Sequence, residues 1–310
     1  KRAHPAGRRS HHQPGQGPTL YFKLESLNPT GSFKDRGASV LVSALKAQGR
    51  RELHDDSSGN AGAALAAYAA RAGLLARLFV PANASPAKVA QIAIYGGEPV
   101  PIEGPRSAAT AAAESAALTG KSFYASHAYH PLFVHANRSL AYELWEQLGF
   151  RAPDAVVTPL GHGSSLLGLA LGFTDLLDGG YIRELPRLYG VQAAACAPLW
   201  MHVHGHEGVS QGATGAEGIR IVPPARPGEV ITAIRQSRGD ILAVDEPAIA
   251  AGLTALARYG ILAEPTSSVV WPAFLAIRNQ FTADQTVVLM ITGSGLKTSD
   301  LANFVTQQDN

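Results

Sequence analysis

The sequence predicts an α/β fold in which mainly parallel, twisted sheets are flanked by helices. Three observations carry that expectation. Short apolar, β-rich runs alternate with helix-period segments from Tyr21 onward. Val156-Val157-Thr158 and Val287-Val288-Leu289-Met290-Ile291 look like buried strands. Both break directly into glycine and hydroxyl residues, as strands do where a parallel sheet presents its carboxyl ends to a ligand.

Taken in order, strands are expected over 21–25, 75–80, 99–102, 122–124, 155–158, 187–192, 241–244 and 286–291. Helices are expected over 34–48, 60–72, 86–95, 105–118, 131–148, 165–177, 246–259 and 265–279. The first helix follows the turn Asn28-Pro29-Thr30-Gly31. The second consists almost wholly of small residues, which lets other backbone approach it closely, and it lies behind Ser57, Ser58 and Asn60 as capping residues. The helices at 86, 105, 131 and 265 each open on a proline. The stretch 198–227, dense in Gly, Pro and His, breaks the alternation and reads as loop, with 211–218 suited to the mouth of a site. There is no internal repeat.

Four segments carry the chemistry. Lys34, in Ser32-Phe33-Lys34-Asp35-Arg36-Gly37, falls where a helix begins. A cation there opposes the positive end of the helix dipole, a conflict removed if the amine is held neutral or covalently engaged; the alternative is a solvent-facing lysine. Ser57, Ser58 and Asn60 place short polar side chains and free N–H groups at a helix start, suited to a carboxylate or phosphate or simply to capping. Gly161-His162-Gly163-Ser164-Ser165 between a strand and an apolar helix has the shape of an anion cradle, or of a plain strand-to-helix turn. It lacks the P-loop lysine and the full dinucleotide fingerprint. Thr292-Gly293-Ser294-Gly295 ends another buried-looking strand.

In this order, Asn28 to Gly37, Ser58-Gly59-Asn60, Gly161 to Ser165 and Thr292 to Lys297 resemble the tryptophan-synthase-β-like, fold type II family of pyridoxal-phosphate enzymes, across roughly residues 18–300. Within it the first and last segments are most similar to threonine synthases, then to serine and threonine dehydratases. The resemblance implies a two-domain fold: a large cofactor domain of 18–44 plus 146–310, a small α/β domain of 45–145, and the cofactor between them. It implies that Lys34 carries pyridoxal 5'-phosphate and acts as base, with Phe33 beside it. Asn60 would meet the phenolic oxygen, while Gly161, His162, Gly163, Ser164 and Ser165 hold the phosphate and Thr292 faces the ring nitrogen. Ser57, Ser58 and Gly59 would receive the substrate carboxylate, and Glu264 would help position the ring. A neutral hydroxyl cannot keep that nitrogen protonated as an aspartate could, which suits elimination and replacement better than transamination. The implied reaction is threonine synthesis from O-phosphohomoserine, with dehydration of serine or threonine, β-replacement, and a non-catalytic relative of the fold as the other readings. His162 and Ser164-Ser165 replace the asparagine-rich loop usual in threonine synthases, and Ser294 stands where they often have histidine, so the cofactor is better indicated than the substrate.

With 310 residues, 46% of them hydrophobic, the chain can bury a large core. Its formal net charge of +2 gives no reason to invoke nucleic acid or a membrane. One cysteine, Cys196, cannot form an internal disulfide, which is compatible with a cytoplasmic setting. Residues 1–17, basic and rich in Gly and Pro, read as a disordered leader. The expected partners are a small amino-acid substrate and a second copy of the chain. His202, His204 and His206 would share a face only if extended; a surface loop without metal is the preferred reading. Tyr142 and Trp145 read as core or interface, and His127, His130 and His135 as incidental to the chemistry.

Overall fold

A computed structural model describes residues 17–84, 86–104, 106–208, 211–298, 301 and 304. The basic leader lies outside these residues apart from Gly17. Its strands are β1 (Thr19–Leu24), β2 (Glu52–Asp55), β3 (Leu75–Pro81), β4 (Glu98–Ile102), β5 (Phe123–Tyr124), β6 (Ala155–Pro159), β7 (Arg187–Ala193), β8 (Asp240–Val244) and β9 (Thr286–Ile291). Its helices are α1 (Lys34–Ala47), α2 (Asn60–Ala72), α3 (Pro86–Ile94), α4 (Arg106–Leu118), α5 (Pro131–His135), α6 (Ser139–Gln147), α7 (Ser164–Asp178), α8 (Pro198–His204), α9 (Pro227–Gln236), α10 (Glu246–Arg258), α11 (Pro265–Ser268) and α12 (Val270–Ile277).

The chain forms two compact units, one of residues 1–26 with 137–310 and one of residues 27–136. In the larger unit a five-stranded sheet runs β1-β9-β6-β7-β8, every pair parallel. β9 lies between β1 and β6, so the strand that closes the chain's sheet is central and almost fully buried. Phe22, Val157, Val191, Phe274 and Leu289 are among the core residues around it. Lys23 on β1 is only 6% exposed and donates to Glu143 at 2.6 Å and Gln147 at 3.1 Å, tying α6 to the sheet.

In the smaller unit a four-stranded parallel sheet runs β4-β3-β2-β5. Its core gathers Leu41, Leu53, Leu65, Leu78, Ile92 and Phe133. The small residues of α2 do what small residues allow: a Cβ on Gly62 would lie 1.9 Å from the Ser57 carbonyl oxygen, so only glycine admits that loop. Likewise Phe133 rests on Gly37 of α1, where a Cβ would sit 2.4 Å from the ring.

Several elements differ from expectation. β2 is a strand the sequence does not announce, because His54 and Asp55 break its apolar pattern, yet both are fully buried. The stretch 198–227 contains α8, started by Pro198 and stopped by Gly205 in the left-handed region, and it ends where α9 starts at Pro227. The helix expected over 131–148 divides into α5 and α6 about a 3₁₀ turn at Ala136–Arg138, and that over 265–279 into α11 and α12. Residues 27–44 group with the smaller unit because Leu41, Val42 and Leu45 of α1 enter its core. Residues 137–145 group with the larger, where Gly168 and Gly172 of α7 let the backbone around Asn137 and Arg138 approach. Of the two readings for Tyr142, core or interface, core does not hold: it is exposed, its hydroxyl donating to Asp175.

Candidate active site

Lys34 is the first residue of α1, and Phe33, in the N-cap position, offers no side-chain cap. The buried Asp35, two residues on, faces back to the preceding turn: its carboxylate accepts the Thr30 N–H at 2.8 Å and the Thr30 hydroxyl. This closes the Asn28–Gly31 turn, in which Gly31 (φ +78°) donates to the Asn28 carbonyl at 2.8 Å. The Lys34 amine lies 4.8 Å from the Phe33 ring centroid and 5.6 Å from that of Phe133. Two aromatic faces stabilise a cation but also exclude water from an amine. The hydroxyl of Ser32, fully buried two residues earlier, has no hydrogen-bond partner among the described residues. Burial, with Asp35 nearby, pushes the Tyr68 hydroxyl of α2 up to about 12.

The turn from β2 into α2 is acidic. Asp55 is fully buried and accepts from the His127 backbone at 3.3 Å and from its Nδ1 at 2.9 Å. Asp56, 6% exposed, accepts from Thr110 at 2.6 Å and Tyr124 at 3.2 Å, with Arg106 3.9 Å away. Burial alone would raise the Asp56 carboxyl, but His127, Thr110 and Arg106 together hold it below its ordinary value. Burial and then the two carboxylates push the Tyr124 hydroxyl up. Burial lowers His54, which contacts the Ala113 carbonyl at 3.0 Å and Ser122 at 2.6 Å and stacks on Tyr124. Ser57 is buried and accepts from Gly59 N–H at 3.3 Å; Ser58, Gly59 and Asn60 are half-buried at the start of α2, which has no side-chain cap.

In the larger unit β6 ends at Pro159 and α7 starts at Ser164, again without a side-chain cap. Gly163 sits at φ +89°, and a Cβ there would stand 2.4 Å from Val230. A Cβ on Gly161 would lie 3.1 Å from the Gly218 carbonyl. His162 accepts the Ala225 N–H on Nδ1 at 3.2 Å. Ser164 and Ser165 are buried, and the Ser165 hydroxyl lies 3.3 Å from that of Thr158. The loop thus combines a left-handed glycine, two hydroxyls and the first N–H groups of a 15-residue helix, with no carboxylate in its sequence.

Thr292 follows β9, the neighbour of β6 in the sheet, so this pair of loops leaves adjacent carboxyl ends. It is 3% exposed, and its hydroxyl lies 2.9 Å from that of Ser267 in α11. A Cβ on Gly293 would sit 2.2 Å from the Glu264 carboxylate, which would have to shift to admit it.

The structure therefore places Lys34 with Ser57, Ser58 and Asn60 in one unit, at the starts of the packed pair α1 and α2. Gly161 to Ser165 and Thr292 come together in the other. Sequence reasoning did not single out Ser267, Asp55, Asp56 or His127 as a connected set. Ser267 carries no pattern of its own, and the aspartates and His127 meet across 72 residues of chain. His202 and His204 lie on α8 rather than on an extended segment. His204 lies 3.1 Å from the Ile241 carbonyl and 3.2 Å from Asp240, and the rings of His204 and His206 both lie against Trp200, at 5.4 and 4.5 Å.

Residues 6–293 match the family described as "Pyridoxal-phosphate dependent enzyme". The threonine synthase of Mycobacterium bovis is 35% identical over 290 residues, 92% of this chain and 79% of that protein. That of Synechocystis sp. is 33% identical, over 93% and 74%. Among solved structures, the threonine deaminase of T.th. superposes with a TM-score of 0.79 at 26% identity, covering 94% of this chain and 92% of that one. O-ureido-L-serine synthase, at 24% identity, gives 0.78 over 95% and 91%, a likeness of fold. Two parallel sheets flanked by helices are the fold type II architecture.

Proposed function

The chain belongs to the family of pyridoxal-phosphate dependent enzymes, and from that premise we propose that this lyase is a threonine synthase, converting O-phosphohomoserine and water into threonine and phosphate. The observation that supports it most is identity with curated threonine synthases at 33–35% over more than nine-tenths of the chain. The residues present fit the cofactor. Gly161 and Gly163 let residues 218–221 and Val230 pack against the turn that presents the first N–H groups of α7, and the Ser32 hydroxyl, two positions before Lys34, is a buried donor without a hydrogen-bond partner among the described residues.

When bound, pyridoxal phosphate supplies an electron sink for the carbon acids of an amino-acid substrate. On this reading Lys34 holds the cofactor through its amine and afterwards takes and returns protons on the substrate carbons. The rings of Phe33 and Phe133 flank that amine at 4.8 and 5.6 Å and limit the directions from which water reaches it. N–H groups of Ser57, Ser58 and Gly59 orient the substrate carboxylate, and Asn60 orients the cofactor's phenolic oxygen. Gly161 to Ser165 bind the cofactor phosphate. The neutral Thr292 hydroxyl meets the ring nitrogen without charging it, which favours prompt departure of a leaving group. We assign the enzyme to the cytoplasm as a homodimer; no helix among the described residues is long and apolar enough to cross a membrane.

A second reading, serine or threonine dehydratase, draws on the buried Asp55 and Asp56 just ahead of Ser57, an unfavourable setting for a phosphorylated substrate. Purified holoenzyme incubated with O-phosphohomoserine, threonine and serine decides between them. Phosphate and threonine support the synthase; ammonia and a keto acid from threonine or serine support the dehydratase instead. Lys34→Ala is expected to lower turnover about 100- to 10,000-fold and to abolish the borohydride-reducible link to residue 34. A pyridoxyl label recovered on another residue would overturn the assignment of Lys34.

A further inference from the structure

Ser267 lies at the meeting point of three polar groups. Its Oγ accepts the Gly293 N–H at 2.8 Å, stands 2.9 Å from Thr292 Oγ1, and is 3.3 Å from the Gly293 carbonyl. A hydroxyl has one proton to give. That proton can go to the Gly293 carbonyl, which also receives the Glu264 N–H at 3.1 Å, or to the nearer Thr292 hydroxyl. An acceptor facing Thr292 selects the second, because the chain from the Gly293 N–H through Ser267 to Thr292 then runs in one direction. Having accepted that bond, the Thr292 hydroxyl directs its own proton away from Ser267.

The support for Ser267 is stiff. Pro265, Thr266, Ser267 and Ser268 are all buried. The Ser267 N–H donates to the Glu264 carbonyl at 2.8 Å, and the Ser268 hydroxyl lies 2.9 Å from the carbonyls of Ile249 and Pro265. Gly252 admits α10 against this turn, since a Cβ there would meet the Ser268 carbonyl at 2.6 Å. The glycine at 293 lets the end of β9 lie against Glu264. The Ser267 oxygen is therefore held firmly beside the Thr292 hydroxyl.

We propose that Ser267 is a positioning residue that fixes the Thr292 hydroxyl as a donor, so that the cofactor ring nitrogen is held as an unprotonated acceptor. This rests on the reading, made under the proposed function, that Thr292 faces that nitrogen. It goes beyond a neutral partner for the ring: the sense of one hydrogen bond, set by a serine that never touches the cofactor, keeps the electron sink weak.

The test is the ¹⁵N resonance of the ring nitrogen in holoenzyme loaded with [¹⁵N]pyridoxal phosphate, together with the cofactor dissociation constant. Wild-type protein should show an unprotonated, hydrogen-bonded pyridine nitrogen; a pyridinium signal would overturn the donor assignment without any variant. Ser267→Ala should move the resonance towards that of a free pyridine and weaken cofactor binding about three- to tenfold. Thr292→Val should move it at least as far, and the double variant no further than Thr292→Val. If Thr292→Val leaves the resonance in place, the reading of Thr292 fails. A shift with Thr292→Val but none with Ser267→Ala sinks the role of Ser267 alone. Should Ser267→Ala fail to fold, Ser267→Cys, a weaker donor, serves in its place, and a wild-type resonance there rejects the inference.

Discussion

Two strand-to-helix turns, one in each unit, hold candidate binding residues, and they differ in charge. From β6 to α7 the chain is uncharged and relies on backbone geometry, with Gly163 in the left-handed region against Val230. From β2 to α2 it carries two buried carboxylates and relies on side chains from elsewhere, His127 on Asp55 and Thr110, Tyr124 and Arg106 around Asp56. The contrast shows two ways of presenting N–H groups at a helix start. One keeps anions out of the loop; the other admits them and holds each with donors. The first should fail when a methyl group is added, the second when a charge is removed.

The largest effect is expected from Gly163→Ala. A left-handed residue with a side chain and a 2.4 Å approach to Val230 together cost about 2–5 kcal/mol. Urea unfolding should show the loss, and titration should show pyridoxal phosphate binding weakened more than that of unphosphorylated pyridoxal. Equal losses for both ligands would mean that the loop does not serve the phosphate. Asp55→Ala should cost less, about 1–3 kcal/mol, because it leaves His127 without its buried acceptor. Asp55→Asn, which keeps an acceptor, should recover part of this. If alanine and asparagine prove equally harmless in urea unfolding, the network is not what holds that turn.

The smallest effect is the dependence of stability on pH, which should come from the acidic turn. Burial holds His54 below its ordinary 6.5, so as pH falls below that value the unfolded chain takes up a proton that the folded chain resists. Stability then falls with pH until the lowered folded value is passed. Asp56, held below its ordinary 3.8, adds a second loss in the same direction at lower pH. Urea midpoints measured from pH 7.5 to 5 should decline, and His54→Gln should flatten that decline. An unchanged slope in the variant would assign the decline to other groups.

Much of the site is legible along the chain because its residues act through their immediate neighbours. Lys34 stands out by opposing a helix dipole, and Gly161 to Ser165 by joining glycines and serines between a strand and a helix. The flanking elements follow for the same reason: apolar runs such as Val156-Val157 and Val287 to Ile291 admit few other readings. β2 does not, since His54 and Asp55 are polar and find their partners on α4, on the 122–127 segment and in the sheet. Pro198 to His204 is equally illegible, because a helix of seven residues ahead of a glycine-rich stretch shows too little periodicity.

By itself the sequence determined the alternation that makes parallel sheets, the amine at the start of α1 and the glycine cradle, since each depends on residues a few positions apart. Only the tertiary structure decided that α1 belongs with the smaller unit, that Asp55 meets His127, and that Ser267 meets Thr292 across 25 residues of chain. Those pairings depend on where buried polar groups find partners once the sheets have formed, and that choice leaves no local mark.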